Sequence, residues 1–278
     1  MNGAYILSKT LRDVEVLAKS KSGAIVVGSI SVLPRKPNPG KGYWLHKEGF
    51  FSLNSFGMPN GGIPYFEKAL PKMVEISHAA HKPLIANVVG FSNSEFVTLI
   101  KLAEKSGADM VELNFGCPNI WDNGHQKRIL SYHASLVKST LASIAKKHPK
   151  IKICVKISPL PPDILHEVAK VIINSGIVSC ITATNSYPNA SVTTGAQGDD
   201  GPDDTLAGLA GRALKPISVG VVKQLYELLP KEIAIIGCGG IASANDVKDY
   251  LAAGAQAVQI ATALKEEGAG IFKKILQT

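Results

Sequence analysis

Short apolar, β-branched runs alternate with amphipathic stretches along the whole chain, and this alternation narrows the possible folds more than any other feature. Runs at residues 3–7, 24–27, 84–88, 110–114, 151–157, 179–184, 233–237 and 257–260 have the length and composition of strands. Helical spacing of apolar residues fills 11–21, 63–81, 94–106, 133–147, 162–175, 216–229, 244–253 and 266–276. A strand that always precedes a helix predicts parallel pairing, since parallel neighbours need a crossover between them. Eight such units predict an α/β fold of the (β/α)8, or TIM, barrel type, as a single domain over residues 1–278. An open doubly wound sheet is the alternative. It calls for a Gly-x-Gly-x-x-Gly turn after its first strand, and none stands there.

Composition excludes several classes. The chain is 45% hydrophobic and 19% charged, enough to fill a large core. No apolar run reaches the roughly 18 residues of a membrane span, and Met1-Asn2-Gly3-Ala4-Tyr5 lacks the basic-then-apolar order of a signal peptide. A cytoplasmic protein is expected. The four cysteines, Cys117, Cys154, Cys180 and Cys238, form no Cys-x-x-Cys pair, so neither a metal site nor a disulfide framework is indicated. A net charge of +8 favours anionic partners, although many of the lysines stand on predicted helix faces.

Two connections are longer than turns. Residues 29–62 carry Pro34, Pro37 and Pro39, then Asn54-Ser55-Phe56-Gly57-Met58-Pro59-Asn60; residues 186–213 carry Gly195, Gly198, Gly201, Gly208 and Gly211. Both follow strand ends, which places them on the face of a barrel where ligands bind. The fourth predicted strand ends there too, in Asn114-Phe115-Gly116-Cys117-Pro118-Asn119, so an amide and a thiol meet at one loop. Gly237-Cys238-Gly239-Gly240-Ile241 closes the seventh strand and Gln259-Ile260-Ala261-Thr262 the eighth. Glycines before a helix turn backbone N–H groups toward an anion, and barrels commonly seat phosphate after these two strands. Lys156 interrupts an apolar run at the end of the fifth strand, and Thr184-Asn185-Ser186 ends the sixth. An unpaired buried ammonium is costly, so Lys156 is expected to support an anionic ring beside Asn114 and Asn185.

In this order the motifs at 54–60, 112–119, 155–156, 184–186, 237–241 and 263–268 resemble dihydroorotate dehydrogenases, over nearly the whole chain. The Asn-Ser loop and the cysteine before Pro118 look like the soluble, fumarate-dependent class. That resemblance implies a homodimeric FMN enzyme that oxidises dihydroorotate to orotate in pyrimidine synthesis. It implies that Cys117 is the base, and that Asn54, Phe56, Gly57, Met58, Asn114, Asn119, Asn185 and Ser186 surround the substrate. It further implies that Asn87, Asn114 and Lys156 contact the flavin, that Gly239, Gly240, Ala261 and Thr262 hold its phosphate, and that Gly211 lies near it. The chemistry agrees: a thiol, ordinarily near pKa 8.5, titrates close enough to neutrality to take a proton beside a carbonyl. Asparagines match both the donors and the acceptors of a uracil-like ring.

The chain departs from the family pattern at Val26-Val27-Gly28-Ser29, where the family has Thr-Lys-Ser and a lysine that reaches the substrate carboxylate. Arg35 and Lys36 are the candidate substitutes. The loop Ile120-Trp121-Asp122-Asn123-Gly124-His125-Gln126 differs as well, and the chain begins almost inside its first strand. A tRNA-dihydrouridine synthase has a similar Asn-Met-Gly-Cys-Pro turn, but such enzymes carry a further helical RNA-binding domain, whereas this chain ends just after the eighth helix. No nucleic-acid or membrane partner is therefore expected. A flavoprotein reducing another pyrimidine, and a phosphate-binding barrel without redox chemistry, are the remaining alternatives.

Overall fold

The computed structural model describes residues 1–122, 125–192 and 206–277; Gly195, Gly198 and Gly201 of the second long loop, and Asn123 and Gly124 beyond Cys117, lie outside the described residues. Helix α1 (Leu11–Lys19) leads into β1 (Ile25–Ile30). Short strands β2 (Tyr43–Leu45) and β3 (Ser52–Asn54) precede α2 (Gly62–Ala79), then β4 (Leu84–Val88), α3 (Asn93–Lys105) and β5 (Met110–Asn114). The two-residue strands β6 (Trp121–Asp122) and β7 (His125–Gln126) come before α4 (Ala134–Ala145), β8 (Lys152–Ile157), α5 (Pro162–Ser175) and β9 (Val178–Ala183). After β10 (Tyr187–Ala190) and β11 (Ala207–Ala210) follow α6 (Lys215–Leu228), β12 (Ala234–Cys238), α7 (Ala244–Ala252), β13 (Ala257–Gln259), α8 (Thr262–Glu267) and α9 (Ile271–Leu276).

Seven strands form one parallel sheet in the order β1-β4-β5-β8-β9-β12-β13, which is the order of their appearance in the chain. Helices cover it with faces spaced as the sequence predicts: α3 buries Phe96, Leu99, Ile100 and Ala103, at i, i+3, i+4 and i+7. Thr10 and Ser243 cap α1 and α7 in reciprocal boxes with Asp13 and Asp246, so the first backbone N–H groups of both helices are answered. Among the described residues no helix is long and apolar enough to cross a membrane.

The expected first strand, 3–7, is not one. Pairing with the last stave occurs only around Asn2: the Gly3 N–H donates to the Ile260 carbonyl at 2.8 Å, and the Ile260 N–H to the Met1 carbonyl at 3.0 Å. The Ser8 hydroxyl then accepts from the Tyr5 N–H at 3.1 Å and donates to the Tyr5 carbonyl at 2.9 Å, folding the chain into a turn. On the other side, the fully buried Asn2 side chain stands in for a ladder. Its Oδ1 accepts from the Val26 N–H at 3.0 Å and its Nδ2 donates to the Val26 carbonyl at 2.7 Å. One amide side chain thus joins β1 to the segment paired with Ile260 and closes the ring of staves.

The expected last helix, 266–276, also differs. Helix starts earlier, at Thr262, and breaks where Gly268 takes φ +68°, giving the separate turns of α8 and α9. The two long loops do not lie as independent lids. Their strands pair as an antiparallel sheet in the order β10-β11-β3-β2, with Gly208 opposite Asn54. This crown fixes Asn54 over the carboxyl-terminal end of the barrel.

Asn2→Ala should lower the unfolding free energy by about 2–3 kcal/mol, because it strands a buried N–H and a buried carbonyl of Val26. Urea denaturation followed by circular dichroism measures this. An unchanged midpoint would show that closure does not depend on the Asn2 amide.

Candidate active site

Parallel register brings the functional side chains to one level. Asn114 at the end of β5 lies opposite Lys156 on β8, and Lys156 lies opposite Thr182 on β9. Two adjoining cavities open there. The larger, about 250 Å³, is lined by Tyr5, Lys156, Gly211, Gly239, Gly240 and Gln259, and also by Ala261 and Thr262. The smaller, about 80 Å³, is lined by Cys117, Asn114, Asn119, Lys9, Ser29 and Met58, with Phe56 and Gly57 beside them. Asn54, Asn185, Lys156 and Tyr5 border both, so the two cavities communicate across them.

The four expected asparagines come together as two hydrogen-bonded pairs. Asn119 Nδ2 donates to Asn54 Oδ1 at 2.7 Å, and Asn185 Nδ2 donates to Asn114 Oδ1 at 3.1 Å. Asn54 is tied to the crown through the Gly208 carbonyl at 3.0 Å, and Asn114 to the Ser29 hydroxyl at 3.0 Å. These bonds fix the direction of each amide while leaving lone pairs and N–H groups for a ligand. Ser186 falls differently from the expectation: it lines the larger cavity and not the smaller one.

Cys117 is half-buried at the wall of the smaller cavity. Burial pushes its thiol up to about 11, against the pull of the Asn119 backbone N–H and of Arg35, Lys9 and Lys156. Arg35 acts from a distance. Its Nε donates to the Gly57 carbonyl at 3.1 Å and its guanidinium lies over the Phe91 ring, so it lines neither cavity, and Lys36 is exposed. The expected substitutes for the strand-end lysine are thus not in place, whereas Lys9 lines the smaller cavity.

Lys156 is buried, and its Nζ donates to Gln259 Oε1 at 2.7 Å. Burial opposes its charge, but Cys238 and the Glu112 carboxylate outweigh burial and hold the ammonium above its ordinary range. Glu112, fully buried, accepts from Asn87 Nδ2 at 2.6 Å, from the Thr182 hydroxyl at 2.6 Å and from Gln259 Nε2 at 2.7 Å. Asn87 is therefore placed below the site. It lines neither cavity, where a flavin contact was expected, and its amide serves Glu112.

The larger cavity suits FMN on two observations. A Cβ on Gly240, whose φ is +69°, would come within 2.7 Å of the Gly211 carbonyl oxygen, so only glycine leaves this cradle open. The buried Tyr5 hydroxyl has no hydrogen-bond partner among the described residues and borders both cavities. Sequence reasoning missed Tyr5, Lys9, Ser29, Glu112 and Gln259. Glu112 carried the same signal as Lys156, a charge inside an apolar run; Lys9, a lone lysine ahead of a helix cap, carried none.

The family model described as dihydroorotate dehydrogenase matches residues 1–278. The dihydroorotate dehydrogenase (fumarate) of Trypanosoma cruzi is 31% identical over 284 residues, covering 99% of this chain and 86% of its own. Dihydroorotate dehydrogenase A (fumarate) of Lactococcus lactis subsp. cremoris is 30% identical over 284 residues, covering 100% and 88%. Among solved structures, the DHODH of Eimeria tenella in complex with ferulenol superposes with a TM-score of 0.85 over 99% of this chain and 78% of its own, at 20% identity, a likeness of fold. With the match running from the first residue to the last, the chain belongs to the dihydroorotate dehydrogenase family.

Proposed function

We propose that this protein oxidises dihydroorotate to orotate in pyrimidine biosynthesis, with FMN as cofactor. The carrying observation is the meeting of Cys117 with Asn54, Asn114, Asn119 and Asn185 in a cavity that opens into a glycine-cradled one beside Lys156. The family match and the fumarate-dependent relatives support the same substrate.

Oxidation takes a proton from C5 of the ring and a hydride from C6, leaving a C5=C6 double bond. Bound FMN supplies the hydride acceptor. Cys117 Sγ takes the C5 proton, which lies beside a carbonyl and is therefore acidic enough to be drawn off by a thiolate. The paired asparagines bind the ring, whose own amides need both donors and acceptors, and an asparagine side chain offers both. Gly239, Gly240, Ala261 and Thr262 would hold the cofactor phosphate, and Lys156 would face its electron-rich edge. The fumarate-class relatives support fumarate as the final electron acceptor. We further propose a cytoplasmic homodimer of single-barrel protomers, as the motif resemblance implies; light scattering tests the dimer.

Purified protein should carry a yellow chromophore that dihydroorotate bleaches without oxygen. Cys117→Ala should slow that bleaching by about 10²- to 10⁴-fold, the usual contribution of a positioned base. Bleaching of wild type by dihydroorotate at an unchanged rate in the variant would remove Cys117 from the base role; no bleaching of wild type at all would remove the substrate.

The thiolate is the working form and the thiol sits up to about 11. The bleaching rate at saturating dihydroorotate should therefore climb with pH, about tenfold per unit from neutrality to pH 10. A flat profile across that range would assign the proton to another group.

A further inference from the structure

The smaller cavity has a polarity that the asparagines do not explain. Two lysines, Lys9 and Lys156, line it, and no carboxylate does among the described residues. Lys156 stands on the border with the larger cavity and is engaged by Gln259. Lys9 lines the smaller cavity and not the larger, on the turn just ahead of α1, with its Nζ 2.6 Å from the Pro59 carbonyl. That carbonyl answers one of the three donors of the ammonium. Asp13, the nearest acid in sequence, is occupied elsewhere, since its Oδ2 accepts from the backbone N–H groups of both Lys9 and Thr10.

The adjacent end of β1, where the Gly28 N–H donates to the Ser8 carbonyl at 3.0 Å, explains why the cation comes from here. Gly28, at the same cavity, has φ +131°, and a Cβ there would collide with the Asn87 carbonyl oxygen. No side chain can enter the cavity from that point of β1 without moving the backbone. The ammonium arrives instead from residue 9.

We propose that Lys9 recognises the carboxylate of the substrate, pairing with it inside the smaller cavity while the asparagines read the ring. The proposal rests on the substrate reading given above and deepens it. A cation in a confined cavity makes a strong charge-assisted bond to an anion and a poor site for a neutral ring. Burial pulls the Lys9 ammonium down to about 8, against Cys117 and Asp13, a cost of confinement that a bound carboxylate would offset. Lys9 would thus set specificity for acids over neutral pyrimidines.

The test uses flavin-loaded enzyme and follows the flavin absorbance on titration with orotate and, separately, with its neutral methyl ester. Lys9→Gln keeps a donor for the Pro59 carbonyl and loses the charge; Lys9→Arg restores it. Orotate should bind Lys9→Gln about 10- to 100-fold more weakly, with the ester within twofold of wild type, and Lys9→Arg should recover most of the loss. Flavin content and the thermal midpoint report any wider disturbance. Equal weakening for acid and ester, or undiminished orotate binding, would overturn the role of Lys9 and leave the substrate reading intact. Wild type that takes up neither orotate nor dihydroorotate would overturn the substrate reading and this inference together.

Discussion

One buried carboxylate organises the interior. Glu112 on β5 accepts from Asn87 on β4, Thr182 on β9 and Gln259 at the end of β13, and Gln259 passes the charge on to Lys156 on β8. Five of the seven parallel strands are thereby joined through side chains as well as through their ladders. A carboxylate and an ammonium taken from water each cost several kcal/mol, and only a set of well-formed hydrogen bonds offsets that cost. The network is therefore sensitive to the loss of any member. It also does what an apolar core could not: it holds a cation at a fixed height where the two cavities meet.

The site above depends on that level. Lys156 opposite Asn114 sets the floor, and the crown built from both long loops sets the roof, with Asn54 bonded across it to Gly208. Each asparagine reaches the smaller cavity from a different element and is aimed by a neighbour: Asn54 by Asn119, Asn114 by Ser29 and Asn185. A ring entering this space meets amides whose directions are already set, so little ordering entropy is left to lose on binding.

Most of the barrel was legible because burial on both faces makes parallel strands read as apolar runs, and amphipathic helices show their period. The first stave was not, because its pairing to β1 comes from the side chain of Asn2, and no periodicity signals an amide acting as a ladder. The helix expected at 266–276 failed at Gly268, where a local turn overrode an apolar pattern that continued through it. Cys117 and the four asparagines stood out because polar residues at strand ends have few structural excuses. Asn87 stood out for the same reason but faces inward, a difference set by the carboxylate of Glu112. Lys9 was invisible: its proposed role comes from the turn made by Ser8 and from the crowding at Gly28 that bars a side chain there, both tertiary facts.

The charges around Cys117 explain how a thiol held near 11 could still serve. At neutral pH roughly one molecule in ten thousand carries the thiolate. That thiolate is correspondingly basic, which favours removal of a proton from carbon. Burial alone would lower its population further; Lys9 from the turn before α1, Arg35 from the loop after β1 and Lys156 from β8 each pull the other way. They act without equal standing. A carboxylate paired with Lys9 cancels most of that ammonium's field, so the bound state leaves Arg35 and Lys156 to hold the thiolate. Arg35 lies outside the cavity, over Phe91, and Lys156 is anchored below it through Gln259 to Glu112. On the proposed roles, the thiolate would be tuned by one cation outside the cavity and one tied down by the Glu112 network, while Lys9 would be kept for recognition.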